Sequence, residues 1–213
     1  MSVQVKICGL TEETGLAACL AEQVDWIGFV FFARSPRYVT PARASELADH
    51  FADAQVRPGC VGLFVEPSDA EIAAAVSAVP LDVLQLYTSP ERAREIKVRF
   101  GREVWLSCPV SAVTDLPDSS VAERLVIESR PPKDSGRPGG NGVAFPWALT
   151  HGWTAPVPWL LAGGLRPDNV ARAIAESGAS AVDVSSGVET APGIKDPVAV
   201  ARFVAAARQP VCV

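Results

Sequence analysis

Four apolar runs in this chain end at Val65, Leu86, Ser107 and Glu128, 21 residues apart each time. A step of that length holds one strand, one helix and their two turns, so the chain reads as a repeated strand–helix unit. The pattern extends in both directions. Val3 to Cys8, Asp25 to Phe32, Cys60 to Val65, Val83 to Leu86, Glu103 to Ser107, Leu125 to Glu128, Pro158 to Ala162 and the run ending at Ser185 make eight predicted strands. Strands that are apolar almost throughout are covered on both faces, as in a parallel sheet flanked by helices. Eight of them predict a (β/α)8 TIM barrel in one domain over residues 1–213, with an open doubly wound sheet as the alternative.

Helix signals fall between the strands. Thr11 is placed to cap the first helix, and Thr40-Pro41 to open one with Ala44, Leu47, Ala48 and Phe51 on a single face. Ser68 and Glu71 have capping-box spacing, Ser89-Pro90 opens the next helix, and Asp196-Pro197 opens the last, with Val200, Phe203, Val204 and Ala207 inward. Two intervals are longer than the rest: Phe31 to Val65 and Glu128 to Ala162, 34 residues each. Their excess lies in residues 33–38 and 129–141, after strands. In a barrel that is the carboxyl-terminal face, where extra chain is expected to serve a ligand.

Residues 157–189 read as one βαβ unit: an apolar strand, a Gly163-Gly164 turn, a helix opened by Pro167 and closed by Gly178, and a second strand running into Ser185-Ser186-Gly187. Small residues at two neighbouring strand ends leave backbone N–H groups uncovered, which suits a phosphate. A net charge of −5 without a clustered basic stripe argues against nucleic acid as a partner. The five cysteines are widely spaced and have only two histidines to join them, so free thiols are expected and a metal site is not. The start of the chain enters a strand pattern directly and no apolar run approaches membrane length, so the expectation is a cytoplasmic protein without a membrane partner.

Several residues have the chemistry for a site. Cys8 follows Lys6 and precedes Gly9; a thiolate beside a cation can act as a general base, and a free cysteine can equally be a buried hydrophobe. Glu128 ends an apolar strand, where a carboxyl either faces a site with a raised pKa or pairs with a neighbouring cation. Arg37, in the long second loop, can fork a ligand carboxylate or stay solvated. Asp183 is expected to face the barrel mouth and to hold loops by hydrogen bonds.

Lys6-Ile7-Cys8-Gly9-Leu10-Thr11, Gly28-Phe29-Val30-Phe31 leading to Ser35-Pro36-Arg37-Tyr38-Val39, Gly62-Leu63-Phe64-Val65, Leu161-Ala162-Gly163-Gly164-Leu165 and Asp183-Val184-Ser185-Ser186-Gly187-Val188-Glu189 with Pro192-Gly193 follow one another over nearly the whole chain. Together they resemble phosphoribosylanthranilate isomerase of tryptophan biosynthesis. The resemblance implies a cofactor-free Amadori rearrangement of a small phosphorylated substrate by a monomer or homodimer. It implies Cys8 as general base, Arg37 on the anthranilate carboxylate, and Gly163, Gly164, Ser185, Ser186 and Gly187 around the phosphate, with Asp183 among the substrate-binding residues. The family carries an aspartate at the end of strand six, where this chain has Glu128; Asp134 in the following loop is the alternative acid. Tyr87 stands where the family usually has histidine, and Gly139-Gly140-Asn141-Gly142 keeps the glycines of the sixth loop. Two other readings remain: a related isomerase acting on another phosphorylated aminosugar, and a sugar-phosphate-binding paralogue without turnover.

Overall fold

A computed structural model of the chain describes residues 2–51, 57–130 and 146–209. Eight parallel strands close into a barrel: β1 Gln4–Cys8, β2 Trp26–Val30, β3 Gly59–Val65, β4 Val83–Tyr87, β5 Glu103–Val110, β6 Arg124–Ser129, β7 Trp159–Leu161 and β8 Ala181–Val184. Closure comes from β1, which pairs with β2 through Ile7↔Ile27 and with β8 through Lys6↔Asp183. This is the barrel expected from eight apolar runs, and the open-sheet alternative falls away. No described helix is long and apolar enough to cross a membrane.

Side chains alternate across each strand, which divides the buried residues in two. One set fills the barrel interior: Val61, Val83, Trp105, Val126, Leu160, Ala162 and Ala181, with Trp26 edge-on to Trp105 at 5.0 Å between ring centroids. The other set faces outward, where Val5, Ile7, Ile27 and Phe29 pack with helical residues such as Leu16, Leu47, Ile72 and Phe203. Each fully buried Leu, Ile or Phe contributes about 1.5–3 kcal/mol of apolar transfer.

The outer helices are α1 Glu13–Ala21, α2 Pro41–Asp49, α3 Asp69–Ala78, α4 Pro90–Phe100, α5 Val170–Ser177 and α6 Pro197–Arg208. Thr40, Ser89 and Asp196 cap α2, α4 and α6 ahead of their prolines, and Ser68 with Glu71 forms a complete capping box on α3. Val200, Phe203, Val204 and Ala207 are the buried face of α6.

Three expectations are corrected. The cap of α1 is Glu12, whose carboxylate accepts from the Thr14 and Gly15 N–H groups, while the Thr11 hydroxyl donates to the Gly193 carbonyl. Pro167 lies in a turn ahead of α5, because the Asn169 side chain accepts from Arg166 N–H and donates to the Gly164 carbonyl, holding the chain back until Val170. The interval from β5 to β6 contains a single 3-10 turn, Val113–Asp115, rather than an α-helix. A short hairpin, β9 Glu189–Ala191 and β10 Ile194–Lys195, follows β8 and was not anticipated. Asp134 and the glycines at 139–142 lie outside the described residues, as does Cys212.

Candidate active site

A cavity sits at the carboxyl ends of the strands. Cys8, Glu128, Arg37, Gly163, Gly164, Asp183, Ser185, Ser186 and Gly187 all line it. Residues up to 179 positions apart in sequence, Cys8 and Gly187, meet there because successive strands deliver their last side chains to one rim. Ser35 from the extended second loop also lines the cavity, as do Phe32, Leu63, Val65 and Tyr87.

The thiol end is built from β1 and β8. Lys6 and Cys8 stand two residues apart on the same face of β1, so both enter the barrel. Lys6 is fully buried and its Nζ donates to Asp183 Oδ1 at 3.0 Å. Burial alone would lower Lys6, but the charges of Asp183 and Cys8 outweigh it and hold the ammonium above its ordinary pKa. Asp183 therefore anchors Lys6 beside the thiol, instead of tying loops together as expected. Burial pushes the Cys8 thiol up; Lys6 and, more weakly, Lys195 oppose that rise, and Asp183 adds to it. The balance leaves Cys8 above its ordinary pKa, with the two lysines limiting the rise. Gly28 on the neighbouring strand makes room for the sulfur: a Cβ there would stand 3.0 Å from Cys8 Sγ.

Glu128 enters from β6, three steps round the barrel from β1. It is 4% exposed, and among the described residues its Oε1 has no hydrogen-bond partner. Burial raises its pKa from 4.5 to about 8, against a lowering hydrogen bond from Tyr87, with the Asp183 charge raising it further. The carboxyl is therefore largely protonated at neutral pH and can donate. Tyr87 is held well above its ordinary pKa by burial and by the Glu128 charge, so it remains a neutral donor. Beneath them, buried Gln85 donates to Ser107 Oγ at 3.1 Å.

The raised carboxyl has a consequence for stability. Between about pH 4.5 and pH 8 the folded chain holds a proton on Glu128 that the unfolded chain releases, so this residue costs stability as pH rises through that window. Glu128→Gln, which cannot ionise, is expected to gain in melting temperature relative to wild type from pH 5 to pH 9. A constant difference across that range in thermal melts would show that Glu128 is not held protonated by the fold.

The wall between these two ends, at the ends of β7 and β8, carries the glycine turns. Gly163 and Gly164 both adopt positive φ, 88° and 67°, a conformation that costs a side-chain-bearing residue about 1 kcal/mol or more. Among the described residues, neither of their N–H groups meets a backbone acceptor. Gly187 closes against this turn so tightly that an added Cβ would overlap the Leu165 carbonyl oxygen. Two chain turns thereby converge with small residues only, leaving backbone donors for an anion.

Arg37 lines the cavity but is neither solvated nor free. Its Nε and Nη2 donate to the two carboxylate oxygens of Glu189, each at 2.8 Å. Lys195, also fully buried, donates to Glu189 Oε1 at 2.7 Å and to the Ser185 carbonyl at 3.2 Å. Burial would raise Glu189, but Arg37 and Lys195 pull it below its ordinary value. Sequence reasoning passed over Glu189 and Lys195 as functional residues. A signal did exist: Pro192-Gly193 marks a hairpin, and Glu189 and Lys195 are its opposed, oppositely charged pair.

The chain is similar to known proteins of one family along nearly its whole length. The family model for N-(5′-phosphoribosyl)anthranilate isomerase matches residues 5–206. The N-(5′-phosphoribosyl)anthranilate isomerase of Rhodospirillum rubrum is 50% identical, covering 96% of this chain and 97% of that protein. That of Acidiphilium cryptum is 52% identical, covering 96% and 98%. Among solved structures, phosphoribosyl anthranilate isomerase from Thermotoga maritima superposes with a TM-score of 0.81 at 30% identity over 96% of this chain and 98% of that one. A phosphoribosyl anthranilate isomerase in complex with reduced 1-(o-carboxyphenylamino)-1-deoxyribulose 5-phosphate gives 0.79 at 29% identity, with the same coverage.

Proposed function

This chain belongs to the N-(5′-phosphoribosyl)anthranilate isomerase family, and on that premise we propose that Cys8 is its general base and Glu128 its general acid. The protein isomerises N-(5′-phosphoribosyl)anthranilate to 1-(2-carboxyphenylamino)-1-deoxyribulose 5-phosphate, a step of tryptophan biosynthesis. The reaction needs a proton at the ribose ring oxygen to break the C1′–O bond and open the ring. It then needs a base at C2′, whose electrons move to C1′ and the nitrogen before a proton returns to C1′. The product has the same atoms as the substrate.

The observation that supports these roles is the pairing, in one cavity, of a carboxyl kept protonated at neutral pH with a thiol flanked by two buried cations. In this reading the turns at Gly163-Gly164 and Ser185-Ser186-Gly187 hold the phosphate, and Asp183 serves by fixing Lys6. Arg37 keeps donors beyond those given to Glu189 and takes the anthranilate carboxylate with them. The same reading takes residues 1–213 as one domain acting in the cytoplasm as a monomer or homodimer.

Steady-state turnover, followed by the change in anthranilate fluorescence, tests the assignment. Arg37→Ala is expected to raise KM about tenfold or more, the loss of a charge-assisted pair worth roughly 1.5–3 kcal/mol. An unchanged KM would remove Arg37 from the carboxylate. No turnover by the purified wild type would favour a binding paralogue.

A further inference from the structure

We infer that Glu189 and Lys195 are positioning residues that tie the carboxylate-binding end of the site to its phosphate-binding end. This rests on the reading that Arg37 takes the anthranilate carboxylate and that the Ser185 turn borders the phosphate. An unbroken series of contacts joins the two ends. Arg37 forks Glu189, Glu189 Oε1 accepts from Lys195, and Lys195 donates to the Ser185 carbonyl at 3.2 Å and contacts its hydroxyl at 3.4 Å. The Ser185 hydroxyl in turn donates to the carbonyl of Cys8 at 3.0 Å. One buried carboxylate thus serves the loop after β2 and, through Lys195, the loop after β8 and the end of β1.

Both cationic stems are seated in the fold with no room to spare. A Cβ on Gly9 would stand 2.5 Å from Arg37 Cδ, and a Cβ on Gly15 would stand 2.8 Å from Lys195 Cβ. Arg37 is 7% exposed, and Lys195 and Glu189 have side chains 0% and 4% exposed. Taking three charges out of water is costly, and apolar residues would close a hairpin as well. What the ionic cluster adds is direction. A loop arginine ordinarily loses its rotamer freedom when it binds, whereas one forked by Glu189 is already oriented. Two cations against one anion also leave a net positive charge facing a ligand with an anion at each end.

Two inhibitors separate this role from simple support of the hairpin: reduced 1-(o-carboxyphenylamino)-1-deoxyribulose 5-phosphate, and the same compound without its carboxyl group. The preference for the first over the second is a ratio measured within one protein, so it does not depend on the folded fraction. Arg37→Ala is expected to abolish the preference. Glu189→Gln is expected to cut it at least tenfold with Arg37 intact, and to change it no further in the Arg37→Ala background. Lys195→Met is expected to weaken both inhibitors, since it releases the Ser185 side as well. A preference that survives Arg37→Ala overturns the carboxylate assignment itself. One that is lost in Arg37→Ala but unchanged in Glu189→Gln overturns the positioning role alone. Should Glu189→Gln fail to fold, Glu189→Asp, which keeps the charge but draws it back by one methylene, replaces it with the same expected and contrary results.

Discussion

Cys8→Ala is expected to lower kcat by about 10²–10⁴-fold, the usual contribution of one general base. KM should change little, because in the proposed mechanism the thiol serves the reacting carbon and neither anionic end of the substrate. The size of the loss follows from the surroundings of the sulfur. Burial holds the Cys8 thiol above its ordinary pKa; Lys6, held charged by Asp183, and Lys195, placed by Glu189, oppose that rise and so lessen the cost of forming the thiolate. Alanine leaves those cations with no base to serve. Turnover of N-(5′-phosphoribosyl)anthranilate by the purified variant, beside a thermal melt to confirm folding, measures the effect, and a kcat within a few-fold of wild type would remove Cys8 from the mechanism.

Glu128→Gln is expected to lower kcat by a similar 10²–10⁴-fold, for the complementary reason. The amide keeps the shape and can still accept from Tyr87, but it has no acidic proton to give the ring oxygen. The variant should therefore be at least as stable as wild type above neutral pH and yet nearly inactive. That combination separates a catalytic carboxyl from a structural one. Where the family usually places aspartate, this chain has one more methylene, and Tyr87 lies against the carboxyl as a neutral donor. A misplacement of about 1 Å can cost 100-fold, so the longer acid needs a neighbour to fix its reach. Wild-type turnover in Glu128→Gln would transfer the acid role elsewhere.

The barrel was legible because each strand carries its own signal. Apolar runs such as Leu125-Val126-Ile127 are too short for helices and recur between caps that bind the chain locally, and the Ser68–Glu71 box forms as its spacing predicts. Expectations failed where a stronger local partner won. Glu12, with a charged acceptor, displaced Thr11 as a cap, and Asn169 delayed α5 past Pro167. After β5 the right interval length concealed the wrong contents: Pro117-Asp118-Ser119-Ser120 breaks a helix, and a 3-10 turn fills the space. Within the site, residues at strand ends were readable, because a carboxyl or thiol closing an apolar strand has few places to go. The Arg37–Glu189 fork joins residues 152 apart and depends on loop packing that no local pattern encodes. The same is true of the burial of Lys195, a residue that by type belongs in solvent.

If Glu128 opens the ring and Cys8 removes the C2′ proton, the two variants slow different steps, and N-(5′-phosphoribosyl)anthranilate deuterated at C2′ distinguishes them. Cys8→Ala should show a primary isotope effect on kcat well above one, because proton removal then limits the rate, while Glu128→Gln should show almost none, because ring opening limits it. An isotope effect confined to the Glu128 variant, or absent from the Cys8 variant, would contradict the assignment of base and acid.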